Sequence, residues 1–186
     1  MLRLTSSSRI SRILFNILFF WGFIIYISGF CISTVVHLFN EDLYMRIILI
    51  LIDITISIFT YGFLSVIHEN SHAVVGLRYG IKSEISYFSK GWFTPYCKFD
   101  SQHQIKKHEF IKIALAPFIV IVCIFVVIFV LFYFLVPLFY ECYVIGLFLI
   151  KAAGCLGDLK LFIDATKLPS DKKLVQSEES GEFFIV

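Results

Sequence analysis

The sequence predicts an all-α integral membrane protein of four transmembrane helices, and three observations predict it. Of its 186 residues, 59% are hydrophobic and 18% aromatic, with a mean hydropathy of +0.87; soluble domains are roughly 45–50% apolar. Several apolar stretches reach the roughly 20 residues that a helix needs to cross a hydrocarbon core about 30 Å thick. Lysine and arginine gather in the N-terminal tail, in 78–112 and in the tail from Lys160, the kind of asymmetry that sets orientation in a membrane.

Taken in order, residues 1–12 carry Arg3, Arg9 and Arg12 and read as a cytoplasmic tail. The apolar stretch 13–36 exceeds the usual signal-peptide core of about 7–15 residues and lacks a small-x-small cleavage site after it, so it reads as a retained first span. The second stretch, 44–67, runs into a polar cluster with no proline or glycine between Ile67 and Gly76. That helix is therefore expected to carry the cluster at its end. The third span, 110–140, holds Ala116-Pro117 near its start and Pro137 near its end, which membranes tolerate where neighbours satisfy the freed carbonyls. The fourth covers 143–162.

The connections 37–46 and 138–142 carry only Arg46, so both termini and the long middle loop are expected on the cytoplasmic side. The expected division is a tail of residues 1–12, one membrane domain over 13–169, and a polar tail over 170–186. That last tail is expected to be mobile, with its apolar end 183–186 able to pack back. In the middle loop, 81–109, apolar and polar residues partly alternate about Lys90-Gly91. Two readings stay open there: a short β-hairpin, or an amphipathic loop lying on the headgroups through Tyr87, Phe88, Trp92 and Tyr96.

A net charge of +2 without any basic block gives no support for nucleic-acid binding. The five cysteines, Cys31, Cys97, Cys123, Cys142 and Cys155, form no CxxC pair and read as small buried hydrophobes. No internal repeat is present.

Chemistry concentrates at His68-Glu69-Asn70-Ser71-His72. Residues four apart on a helix are separated by one turn and about 40°, so both imidazoles can address one metal ion. In HExxH peptidases the glutamate is no ligand but the general base that takes a proton from the attacking water. Zinc suits imidazole nitrogen, and a catalytic zinc site needs a third protein ligand. Asp158, in Ala153-Gly154-Cys155-Leu156-Gly157-Asp158, is the best candidate: spans two and four descend toward the same side, and Asp158 is late in its span as His68 is in its own. The small residues beside it would let another helix approach closely. The bland alternative pairs Asp158 with Lys151 or Lys160. Asp164 could replace Asp158 as ligand, His103 and His108 are weaker candidates in the loop, and His37 falls on the opposite side. Asp53, about four turns before the motif, suits a helix-pairing or hydrated-cavity role.

These residues resemble a family, the DUF3267 zincin peptidases, related in plan to membrane metalloproteases of the site-2 type. The shared features are His68-Glu69-x-x-His72-Ala73, Ala116-Pro117 and Gly157-Asp158-Leu159, spread over 44–169. The resemblance implies that His68, His72 and Asp158 hold Zn2+ and that Glu69 is the catalytic base. Site-2 proteases commonly carry Asn-Pro-Asp-Gly or Leu-Asp-Gly, whereas Asp158 stands between Gly157 and Leu159. The expected function is a multi-pass zinc metalloprotease of the cell membrane, acting on peptide or membrane-protein substrates near the cytoplasmic face. Its alternative is a non-catalytic membrane scaffold or binding protein with a structural or absent metal; a third, a small transporter using Asp53, Lys151 and Asp158, is poorly served by four spans without repeat symmetry.

Overall fold

A computed structural model describes residues 3–4, 8–40, 42–89, 92–135, 138–177 and 182–186. Five helices carry most of the chain: α1 (Arg9–Asn40), α2 (Leu43–Arg78), α3 (Lys107–Leu135), α4 (Leu138–Gly154) and α5 (Leu156–Thr166). Among them run six short strands: β1 (Arg3–Leu4), β2 (Ser83–Ser89), β3 (Trp92–Phe99), β4 (Ile105–Lys106), β5 (Lys173–Gln176) and β6 (Phe183–Ile185). The helices α1, α2 and α3 are long and apolar enough to cross a membrane, and α4 with α5 makes a fourth candidate if the bent pair counts as one span. Phe20, Phe59 and Phe63 are among the many large side chains exposed along α1 and α2. So much uncovered apolar surface suits a lipid environment and not water.

Asp42 caps α2, its carboxylate accepting from the Met45 N–H at 3.0 Å. The 36 residues of α2 extend about 54 Å at 1.5 Å per residue, well beyond a hydrocarbon core. The helix consequently carries the His68–His72 cluster past its apolar stretch, passes Gly76 and ends at Arg78. Gly80, in the left-handed region at φ +73°, turns the chain into β2, a conformation glycine adopts without steric cost. A Cβ on Gly76 would lie 2.8 Å from a ring carbon of Phe99. That missing side chain lets β3 pack against α2 one turn beyond the motif.

The hairpin reading of the middle loop holds in the described residues: β2 and β3 pair antiparallel from Ser83↔Phe99 to Ser89↔Trp92, with an irregularity between Ser86 and Phe88. The Lys90-Gly91 turn lies outside the described residues. Tyr87, Phe88 and Tyr96 are exposed on it.

Three expectations need correcting. The fold is mostly helical and not all-α, because a four-stranded antiparallel sheet of order β1-β6-β5-β4 joins both ends of the chain to the start of α3. Its strands are two to four residues long, too short for alternation to be legible. Two of the three pairings, β1 with β6 and β4 with β5, join residues far apart in sequence. Secondly, the segment 170–186, expected as a polar tail, supplies β5 and β6, with Leu174, Gln176 and Phe183 buried; 178–181 lie outside the described residues. Thirdly, the fourth span is broken at Cys155, where α4 and α5 meet at 44°. Pro137 also lies outside the described residues.

Gly154 is not a point of close helix approach, since a Cβ there would meet nothing within 4 Å. The close approach is between Gly22 of α1 and Gly146 of α4. A Cβ on Gly146 would lie 2.6 Å from the Tyr26 nitrogen and 2.8 Å from the Gly22 carbonyl oxygen.

Two apolar clusters fix these parts. Leu64, Ile121, Phe125 and Cys155 pack α2, α3 and the α4–α5 break together. Ile81, Phe99, Ile105, Phe110, Leu161 and Leu174 join hairpin, sheet and helix ends into a second cluster. The break between α4 and α5 therefore sits beside the end of the apolar part of α2.

Candidate metal centre

His68 and His72 leave α2 one turn apart with ring centroids 5.2 Å from each other. Asp158, in the first turn of α5, faces both. Its Oδ2 lies 3.0 Å from His68 Nε2 and its Oδ1 3.5 Å from His72 Nε2. One ligand atom from each of the three residues lies within 4.8 Å of the others.

The outer ring nitrogens are engaged elsewhere. His72 Nδ1 is 2.9 Å from the Ile113 carbonyl oxygen, and His68 Nδ1 is 3.6 Å from Cys155 Sγ. A carbonyl can only accept, so His72 Nδ1 carries the proton, and Nε2 is the nitrogen left to present a lone pair to a metal ion. Asp158 Oδ2 is buried yet has no hydrogen-bond partner, even though His68 Nε2 is near; the approach lacks hydrogen-bond direction. Lone pairs converging on one point, with outer N–H groups tied down, are the arrangement a metal ion requires. Two imidazoles and one carboxylate suit zinc and leave a fourth position open. The residues present fit the ion.

Glu69 stands beside this group and outside it. Its Oε1 is 3.9 Å from His68 Nε2, while its Oε2 accepts the Cys97 N–H of β3 at 2.8 Å. The intervening Asn70 and Ser71 turn back on their own helix, donating to the Val66 and Ile67 carbonyls. The hairpin rim is itself an apolar setting. Burial pushes the Cys97 thiol up to about 12, with the Glu69 carboxylate adding to the effect, and burial followed by the same carboxylate raises the Tyr96 hydroxyl.

The other sequence candidates lie elsewhere. Asp164 pairs with Lys160 and, at 3.9 Å, with Lys167. His108 is exposed and 3.9 Å from Glu109, and neither it nor His103 belongs to the group of three. The His37 side chain lies outside the described residues. Asp53 accepts from Ser33 Oγ at 3.0 Å, tying α2 to α1. Lys151 does not pair with Asp158 but reaches Ser65 Oγ, its ammonium 3.6 Å from the centre of the Tyr61 ring. Sequence reasoning missed the Cys155 contact with His68 and the Cys97 amide, and it gave Lys151 the wrong partner. Cys155 did carry a signal, since it stands three residues before Asp158; a backbone amide from β3 carries none.

The family profile of DUF3267, described as putative zincin peptidase, matches residues 61–172. That is more than half of the chain and takes in α2 from Tyr61, the hairpin, α3, α4 and α5. The chain belongs to the DUF3267 family. Its description points to metallopeptidase activity and to zinc as the cofactor. No curated protein and no solved structure matches the chain.

Proposed function

We propose that this DUF3267 protein is a membrane-embedded zinc metallopeptidase that hydrolyses peptide bonds in membrane or juxtamembrane substrates near the cytoplasmic face, with both of its termini on that side. The observation that carries the reading is the convergence of His68, His72 and Asp158 with a carboxylate, Glu69, beside them and outside the ligand set. A structural site needs the histidines but has no use for that carboxylate.

His68, His72 and Asp158 would hold the ion. A zinc ion there supplies a Lewis acid that acidifies water and polarises a carbonyl. Glu69 accepts the proton from water as its oxygen adds to the scissile carbonyl carbon. It returns that proton to the amide nitrogen as the C–N bond breaks, leaving a carboxylic acid and an amine, between which the second water proton then passes to give carboxylate and ammonium. The Cys97 N–H holds one Glu69 oxygen and leaves the other for this exchange.

The outer edge of β3 runs beside Glu69. Cys97 and Phe99 donate outward, to Glu69 and to Gln176 Oε1 at 2.6 Å. Pro95, two residues before Cys97, has no N–H to leave unpaired, as suits an edge strand. With both amides engaged and Pro95 lacking one, strand addition, a recurring mode of peptide recognition, would require a substrate to displace Gln176 or to pair beyond these residues.

The test compares wild type, His68→Ala and Glu69→Gln, purified for zinc content and expressed in cells for membrane proteomics. Wild type and Glu69→Gln should carry equal zinc and His68→Ala none. Fragments should accumulate with wild type only. Matching proteomes, with a deletion phenotype rescued equally by wild type and Glu69→Gln, would transfer the function to a scaffold.

A further inference from the structure

Within α3 the N–H of each residue bonds the carbonyl four positions earlier. Pro117 has no N–H, so the carbonyl of Ile113 loses its helical donor. Ile113 is 2% exposed and Pro117 is fully buried. A buried carbonyl without a donor is costly, and in a membrane-spanning helix no bulk water can relieve it. The donor that reaches this carbonyl is His72 Nδ1, at 2.9 Å, from a residue 41 positions away.

We infer that Pro117 is a positioning residue for the metal centre: by freeing the Ile113 carbonyl it fixes the His72 ring with its proton on Nδ1 and its Nε2 facing Asp158. This rests on the metallopeptidase reading and extends it to a residue that touches neither metal nor substrate. An ordinary residue at 117 would offer its own N–H to Ile113. The carbonyl would turn back along the helix axis, and His72 would lose the acceptor that holds its ring. A proline in a spanning helix is here a device for lending one backbone oxygen to a neighbouring helix.

The test uses the full chain in detergent and three measurements. In metal-free wild type, 15N chemical shifts of His72 should report a protonated Nδ1; a bare Nδ1 overturns the inference. Pro117→Ala should weaken zinc binding about 10–100-fold, the usual effect of removing a ligand's outer hydrogen-bond partner, without lowering the unfolding temperature of the metal-free protein. The third variant replaces Pro117 by the α-hydroxy analogue of alanine, whose ester linkage lacks the N–H as proline does but has no ring. It should recover wild-type zinc affinity to within about threefold, a small part of the 10–100-fold effect. If it stays as weak as Pro117→Ala, ring packing is responsible and the missing donor is not. Unchanged zinc affinity in Pro117→Ala likewise overturns the inference. A wild-type protein that binds no zinc overturns the metallopeptidase reading itself, and this inference with it.

Discussion

Replacing Cys155 by alanine asks what a thiol does in a metal centre it does not ligate. Cys155 is wholly buried at the α4–α5 break, and its Sγ lies 3.6 Å from His68 Nδ1, a reach that the size of sulfur allows. For His68 Nε2 to present a lone pair to a metal ion, the ring proton must sit on Nδ1, and sulfur is then its acceptor. Alanine removes that acceptor. Loss of such an outer partner typically weakens metal binding 10–100-fold, which is about 1.4–2.8 kcal/mol at 1.4 kcal/mol per tenfold. The metal-free fold should lose less, about 0.5–1.5 kcal/mol, the usual range for deleting one methylene-sized group from a core. Cys155→Ser keeps an acceptor and should retain most of the affinity. Zinc affinity by competition with a chromogenic chelator, beside unfolding in detergent, separates the two effects. Equal zinc affinity in wild type, Cys155→Ala and Cys155→Ser would refute the claim that the sulfur orients His68.

Four further outcomes are expected. Gly146→Leu should lower the unfolding temperature in detergent, because a Cβ there meets backbone of α1 at 2.6 Å; overpacking typically costs about 1–3 kcal/mol, and backbone atoms cannot step aside as a side chain would. Cys97 titrates near 12 in the fold against 9.0 ordinarily, so above pH 9 the unfolded chain holds fewer protons than the folded one. Its contribution is fully present below pH 9 and fades toward pH 12, by at most about 1.4 kcal/mol per pH unit, and Cys97→Ala should flatten that part of a stability–pH curve. Gln176→Ala should speed hydrogen exchange at the Phe99 amide, since it removes the acceptor of that N–H and the donor to Tyr96 Oη at 2.8 Å, a loss of about 1–3 kcal/mol when a buried donor is left bare. Reporters at the C-terminus should read cytoplasmic and one between α1 and α2 external; an external C-terminus would reverse the orientation proposed from lysine and arginine placement.

Lys151 shows how a tertiary setting rewrites a sequence reading. In sequence it stands seven residues before Asp158, a natural partner on one helix. The break at Cys155 separates them onto α4 and α5, and Lys151 turns instead to Tyr61 and Ser65 on α2. Lys151 is 8% exposed, and its ammonium has no carboxylate within salt-bridge distance among the described residues.

By itself the sequence determined the long apolar helices, the middle hairpin as one of two readings, and the three residues that converge at the site. Each rests on local information: twenty-residue apolar runs, a four-residue spacing of histidines on one helix, and a basic-residue asymmetry. The tertiary structure alone decided the four-stranded sheet, the broken fourth span, the Gly22–Gly146 contact and the partners of each imidazole. Most of those depend on pairings between residues far apart in the chain, such as Arg3↔Phe184. Periodicity cannot register such pairings, because a two-residue strand has no period and a backbone carbonyl has no letter of its own.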